Sequence, residues 1–226
     1  ADALCDIADE LEKADDVKAA AQKILQDIAV KHARIVFNGD NYTAEWVAEA
    51  ARRGLPNIRS AVESLVGIPS KENIAVFSKH EVLSEHELRA RTEVLLEVYS
   101  RQINIEAQTM LSMAKRQILP ASCEYSARLA GAVAAVSGVG GHAETHSRML
   151  ARVCELITAL EHGITELEKA TARAAATKGV EAQAGSYSHD VVPAMRTVRT
   201  AADELETLVD AKLWPMPIYA EMLFIR

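Results

Sequence analysis

The pattern nearest to a chemical centre is His142-Ala143-Glu144-Thr145-His146. Two imidazoles four apart on one helix face have the spacing of metal ligands. A zincin-type hydrolase needs Glu directly after the first His. Here Glu144 comes one residue late, and no third ligand is evident. Histidines solvated near a helix start are the plainer reading. A di-iron carboxylate bundle needs Glu three residues before His on two helices, and none of the seven histidines has it. Gly138-Val139-Gly140-Gly141 follows a helical stretch and lacks the Lys-Ser/Thr of a phosphate-cradling P-loop. Arg52-Arg53 and Lys115-Arg116 are basic pairs, and Asp15-Asp16 and Glu166-x-Glu168 are acidic ones. Adjacent helical residues point about 100° apart, so each pair reads as a solvated face or as ion-pair partners rather than a convergent clamp. Lys115 and Arg116 also fall near the end of a long helix, where the dipole favours cations. The residues by themselves therefore assign no catalytic, cofactor-binding or metal-ligating position.

What must position these groups is a helical protein. The chain has 226 residues, 49% hydrophobic and 25% charged, with a net charge of -7. That apolar content is enough to fold, and the negative balance argues against a general nucleic-acid binder. Aromatics at 4% and abundant alanine favour helices over a β-sandwich or barrel. Cys5, Cys123 and Cys154 form no C-x-x-C pair, which fits a reducing, cytoplasmic setting and buried or inert thiols. The least polar stretch, 129–141, is too short to span a bilayer as a helix, so no membrane partner is expected. No signal peptide is visible. The chain lacks an initiator Met, and Leu4, Ile7 and Leu11 are already in helical phase without a cap, which predicts a piece cut from a longer polypeptide.

Apolar residues at helical spacing run through 1–37, up to the turn signal Asn38-Gly39-Asp40-Asn41. Thr43 can cap a short helix ended by Gly54, Asn57 a second ended near Gly67, and Ser70 a third ended near His80. Ser84-Glu85-His86-Glu87 is a capping box. It opens a rod of about 50 Å with Leu88, Leu95, Tyr99, Ile103, Met110 and Ala114 on its inner face, which Pro120 ends or kinks. Residues 121–137 look helical again. Met149, Val153, Leu156, Leu160, Leu167 and Ala174 make a heptad-like seam. A loop at 178–186 precedes a last helix capped by Asp190, with Val191, Met195, Val198, Ala202, Leu205 and Val209 as its stripe. The tail, about 214–226, is extended and apolar, and Trp214, Pro215, Met216, Tyr219, Leu223 and Phe224 should pack back on the bundle near the short-helix insertion with its Trp46, the alternative being that the tail docks on a neighbouring subunit or the catalytic domain. The expectation is an all-α fold over 1–226, a single domain of four or five long antiparallel helices with a short-helix insertion at about 38–83.

Three stretches together resemble one family. They are 31–57, with Arg34-Ile35-Val36-Phe37-Asn38-Gly39-Asp40, Glu45-Trp46-Val47 and Arg52-Arg53-Gly54-Leu55-Pro56-Asn57; 101–120, with Arg101-Gln102-Ile103-Asn104-Ile105-Glu106-Ala107 and Ile118-Leu119-Pro120; and the ending Leu213-Trp214-Pro215-Met216-Pro217 with Glu221-Met222-Leu223-Phe224-Ile225. The whole is similar to the C-terminal helical region of type III glutamine synthetases. The resemblance implies a parent ligase that joins ammonia to glutamate with ATP and Mg, in multi-subunit rings, on a β-rich catalytic domain upstream. It implies no cofactor and no catalytic residue within 1–226. Its partners would be that domain and neighbouring subunits, with no nucleic acid and no membrane. The competing reading is a stand-alone helical-bundle adaptor.

Overall fold

The computed structural model describes residues 1–217 and 219–223, all-helical with no strand among them. The chain divides into two compact units, Ala1–Arg59 and Ser60–Arg226. The division falls inside the expected short-helix insertion.

In the first unit, α1 (Asp2–Glu12) and α2 (Val17–Lys31) replace the single helix expected over 1–37. The break has a local cause. Asp16 adopts an extended backbone, and its carboxylate accepts from the amides of Lys18 and Ala19, starting a new helix. A 3-10 turn, Ala33–Ile35, leads to α3 (Ala44–Arg52). Thr43 stands at the N-cap of α3, but its hydroxyl donates back to the Asp40 carbonyl instead of receiving an α3 amide. Gly54 ends the helix at φ +69, which brings its own amide and that of Leu55 onto the Ala51 and Ala50 carbonyls.

The second unit begins with α4 (Ala61–Gly67), capped by Ser60 rather than Asn57, and α5 (Lys71–Lys79), capped by Ser70. The capping box at Ser84 and Glu87 forms as expected and opens α6 (Glu85–Met113). Pro120 does not end this helix. A π turn over Ala114–Ile118 widens the ladder by one residue, and the chain continues into α7 (Leu119–Gly138) with Pro120 in its first turn. The amide missing from proline falls where the register is already shifted, so one rod runs from 85 to 138, about 80 Å. α8 (Glu144–Ala176) returns along it. A second π turn, Tyr187–Val191, likewise joins α9 (Val180–Ser186) to α10 (Val192–Glu206). Ala184-Gly185-Ser186 is therefore helical, not loop. Asp190 is not a cap: it lies in the π turn, accepting from the Ser186 hydroxyl at 2.9 Å.

These continuities reduce the four or five long helices to three long rods in this unit among the described residues. Consecutive rods are antiparallel. Arg152 near the start of α8 pairs with Glu204 near the end of α10, while Gln183 of α9 reaches the carbonyls of Ala174 and Ala175 at the other end of α8. The core sits between them. Val153, Leu156, Leu160, Leu167 and Ala174 of the seam are buried, as are Val191, Val198, Ala202, Leu205 and Val209. The stripe of α6 holds except at one position: Leu88 and Ala114 are buried and Tyr99, Ile103 and Met110 are partly buried against the core, but Leu95 is exposed and Leu96 is buried instead. Trp214 packs on this core and its indole donates to Glu206 at 3.1 Å. The tail holds a short helix, α11 (Tyr219–Leu223). Leu223 is exposed and does not pack back as expected, while Phe224 and the side chain of Tyr219, on which that expectation also relied, lie outside the described residues.

Candidate functional site

The most developed polar cluster lies in the first unit, around the Arg52-Arg53 pair. Glu49, one turn back on α3, receives both side chains. Arg52 Nε donates to Glu49 Oε2 at 2.6 Å, and Arg53 Nε to Glu49 Oε1 at 2.5 Å. The adjacent arginines do converge, contrary to the splayed geometry expected of neighbours, because they stand three and four residues after the shared carboxylate. The fork to Arg52 and then the bond to Arg53 hold the Glu49 carboxyl down to about 2, from an ordinary 4.5. Arg53 Nη1 donates to the carbonyls of Arg34, at 3.1 Å, and Val36, at 2.6 Å. Its guanidinium carbon lies 6.0 Å from the Phe37 ring centre and 5.7 Å from that of Trp46, and the two rings are 4.7 Å apart. The cluster ties the 33–37 segment to α3. Its cations are engaged by this chain's own carboxylate, carbonyls and rings.

Several of the other charged groups singled out in the sequence are engaged in the same way. Lys115 pairs with Glu168, Glu166 with Lys169, and Asp16 caps α2. His142 precedes α8 and is exposed, so the two histidines do not share a helix face. His146 is half-buried, and its Nδ1 has no hydrogen-bond partner among the described residues. The three cysteines are all exposed, not buried, and unpaired with one another. Among the described residues, no three His, Cys, Asp or Glu side chains come together to hold a metal ion. A magnesium nucleotide needs several oxygens around the metal and cations converging on phosphates, and the donor sets found here do not fit it.

The second unit carries a groove of about 890 Å³. Its walls are Val62, Val66 and Pro69 on one side and Val180 and Glu181 on the other, with Thr92 and Leu96 of α6 between. An adjoining recess of about 340 Å³ shares Gly179 and Val180 and is lined by Ser100, Asn104, Gln183 and Tyr187. Tyr187 is 4% exposed, and burial pushes its phenol above the usual tyrosine range. Sequence patterning missed this site because its walls come from 62–69, 89–104 and 179–189. One signal was present: Ser60-x-x-Glu63 has the spacing of a capping box and would have started α4 at its observed position.

Residues 20–137 match the family model of the glutamine synthetase C-terminal domain. The chain is 33% identical over 215 residues to a type-3 glutamine synthetase of Dictyostelium discoideum, covering 92% of this chain and 29% of that protein. It is 30% identical over 212 residues to a glutamine synthetase of Butyrivibrio fibrisolvens, covering 93% and 30%. It is 31% identical over 211 residues to one of Bacteroides fragilis, covering 90% and 29%. The chain thus spans about three-tenths of the length of the curated relatives it matches.

Proposed function

The chain belongs to the glutamine synthetase C-terminal domain family, and from that premise we propose that it is the helical, non-catalytic assembly part of a type-3 glutamine synthetase. The longer enzyme would ligate ammonia to glutamate with ATP and Mg, on a catalytic domain outside this chain. This part would hold neighbouring subunits together in a cytoplasmic homo-oligomer. The observation that supports an assembly role is a second apolar line on α6. Leu88, Leu96 and Ala107 already face the core, yet Val94, Val98 and Ile105 stand 59%, 54% and 60% exposed, four and seven residues apart along another face. A helix with one buried face rarely carries such a line unless something packs there. A neighbouring subunit fits a multi-subunit enzyme.

The test is particle mass. Val94→Ser, Val98→Ser and Ile105→Ser together, in the longer polypeptide, should reduce the particle mass measured by light scattering, because apolar burial drives such contacts at about 25 cal/mol per Å². An unchanged particle would remove the assembly role from this face.

A further inference from the structure

We propose that the groove between α4, α6 and α9 is a docking site for a basic, apolar peptide segment. Its floor and walls are apolar: Val62, Val66, Pro69, Leu96 and Val180. Around them stand Glu63, Glu93 and Glu181, exposed carboxylates that form no ion pair among the described residues. The cations of the groove and its recess are engaged: Arg89 pairs with Glu85 at 2.8 Å and Arg101 with Glu97 at 3.1 Å. His189 is the remaining titratable group on the wall. An apolar trough rimmed by three free carboxylates complements a segment whose apolar side chains are flanked by lysine or arginine.

The recess points to a peptide rather than a compact cation. From Arg89 to Asn104 the site follows α6 for about 22 Å, about four helical turns. At its far end the Tyr187 ring is almost wholly buried, and its hydroxyl, which keeps contact with solvent, makes no hydrogen bond among the described residues. Gln183 gives its amide N–H to the carbonyls of Ala174 and Ala175 at 3.4 Å, and its own carbonyl oxygen has no partner among the described residues. With Asn104 these groups offer donors and acceptors suited to a peptide backbone. Such docking uses only groups of the second unit.

The probe is a fluorescein-labelled 14-residue amphipathic peptide of leucine and lysine, titrated against the 226-residue chain with anisotropy as readout. Saturable binding is expected, weakened by added salt. The protein's net charge of -7 attracts any cationic peptide, so position is the discriminating variable. Reversal of the groove carboxylates (Glu63→Lys, Glu93→Lys and Glu181→Lys together) should weaken binding at least about tenfold. Reversal of Glu12, Glu144 and Glu161 to Lys, all exposed and outside the groove, should change it by less than about twofold. Helix content by circular dichroism checks that both triple variants remain folded. A leucine–glutamate peptide should not bind. Equal losses from the two triple variants, equal binding of the acidic peptide, or no saturable binding to the parent chain would each overturn the proposal.

Discussion

Arg53 engages every face of its guanidinium within the first unit: the Glu49 carboxylate, two backbone carbonyls and two aromatic rings. Lysine cannot reproduce that, because an ammonium has neither the planar fork nor the stacking surface. Arg53→Lys should therefore release the 33–37 segment. The readout is Trp46 fluorescence in a Trp214→Phe background, with a red-shifted, more quenchable emission expected; an unchanged spectrum would mean the rings hold the segment by themselves. Glu49 gives a pH signature. Its folded value lies below its ordinary one, so its contribution to stability is complete above about 4.5 and is lost as pH falls toward 2. An NMR titration of its carboxyl carbon should have its midpoint near 2, and a midpoint near 4.5 would show that the two arginines do not close on it.

At the scale of elements, helical period carried most of the information. The seam of α8 and the stripe of α10 were readable because a buried face repeats at 3.6 residues whatever else the helix does. The punctuation marks misled. Pro120 and the Ser186-to-Asp190 stretch looked like ends, but a π turn at each site keeps the rod continuous, and no residue pattern announces such a turn. Packing sharpens the stability predictions. Leu160 is fully buried, and Leu160→Ala should cost about 2 to 5 kcal/mol in urea melts, whereas changing exposed Glu161 should shift stability by less than about 0.5 kcal/mol. Two glycines on long helices should diverge. A Cβ on Gly131 of α7 meets nothing within 4 Å, so Gly131→Ala should stabilise by about 0.5 to 1 kcal/mol. At Gly163, in α8, a Cβ would lie 3.3 Å from Val198 Cγ2 and 3.5 Å from the α10 backbone, so the same change should give no gain. Thermal melts that raise both variants equally would contradict this close α8–α10 approach.

At the scale of the molecule, composition made the helical class legible, and the family was legible in short runs such as 31–57. The division of the chain at 59/60 and the groove were not, since each depends on which distant segments meet. The exposure of Cys5, Cys123 and Cys154 was also missed, because thiol content says nothing about which side of a helix faces water. Charges pair with one another across helix surfaces, and apolar lines continue beyond the core. On the proposed reading, such a chain would hold other parts together and leave the ligase chemistry to residues outside it. The direct measurement is a glutamine-forming assay of the 226-residue chain by itself, with glutamate, ammonia and Mg-ATP. The expected result is no glutamine above the protein-free blank; measurable turnover would contradict the non-catalytic reading.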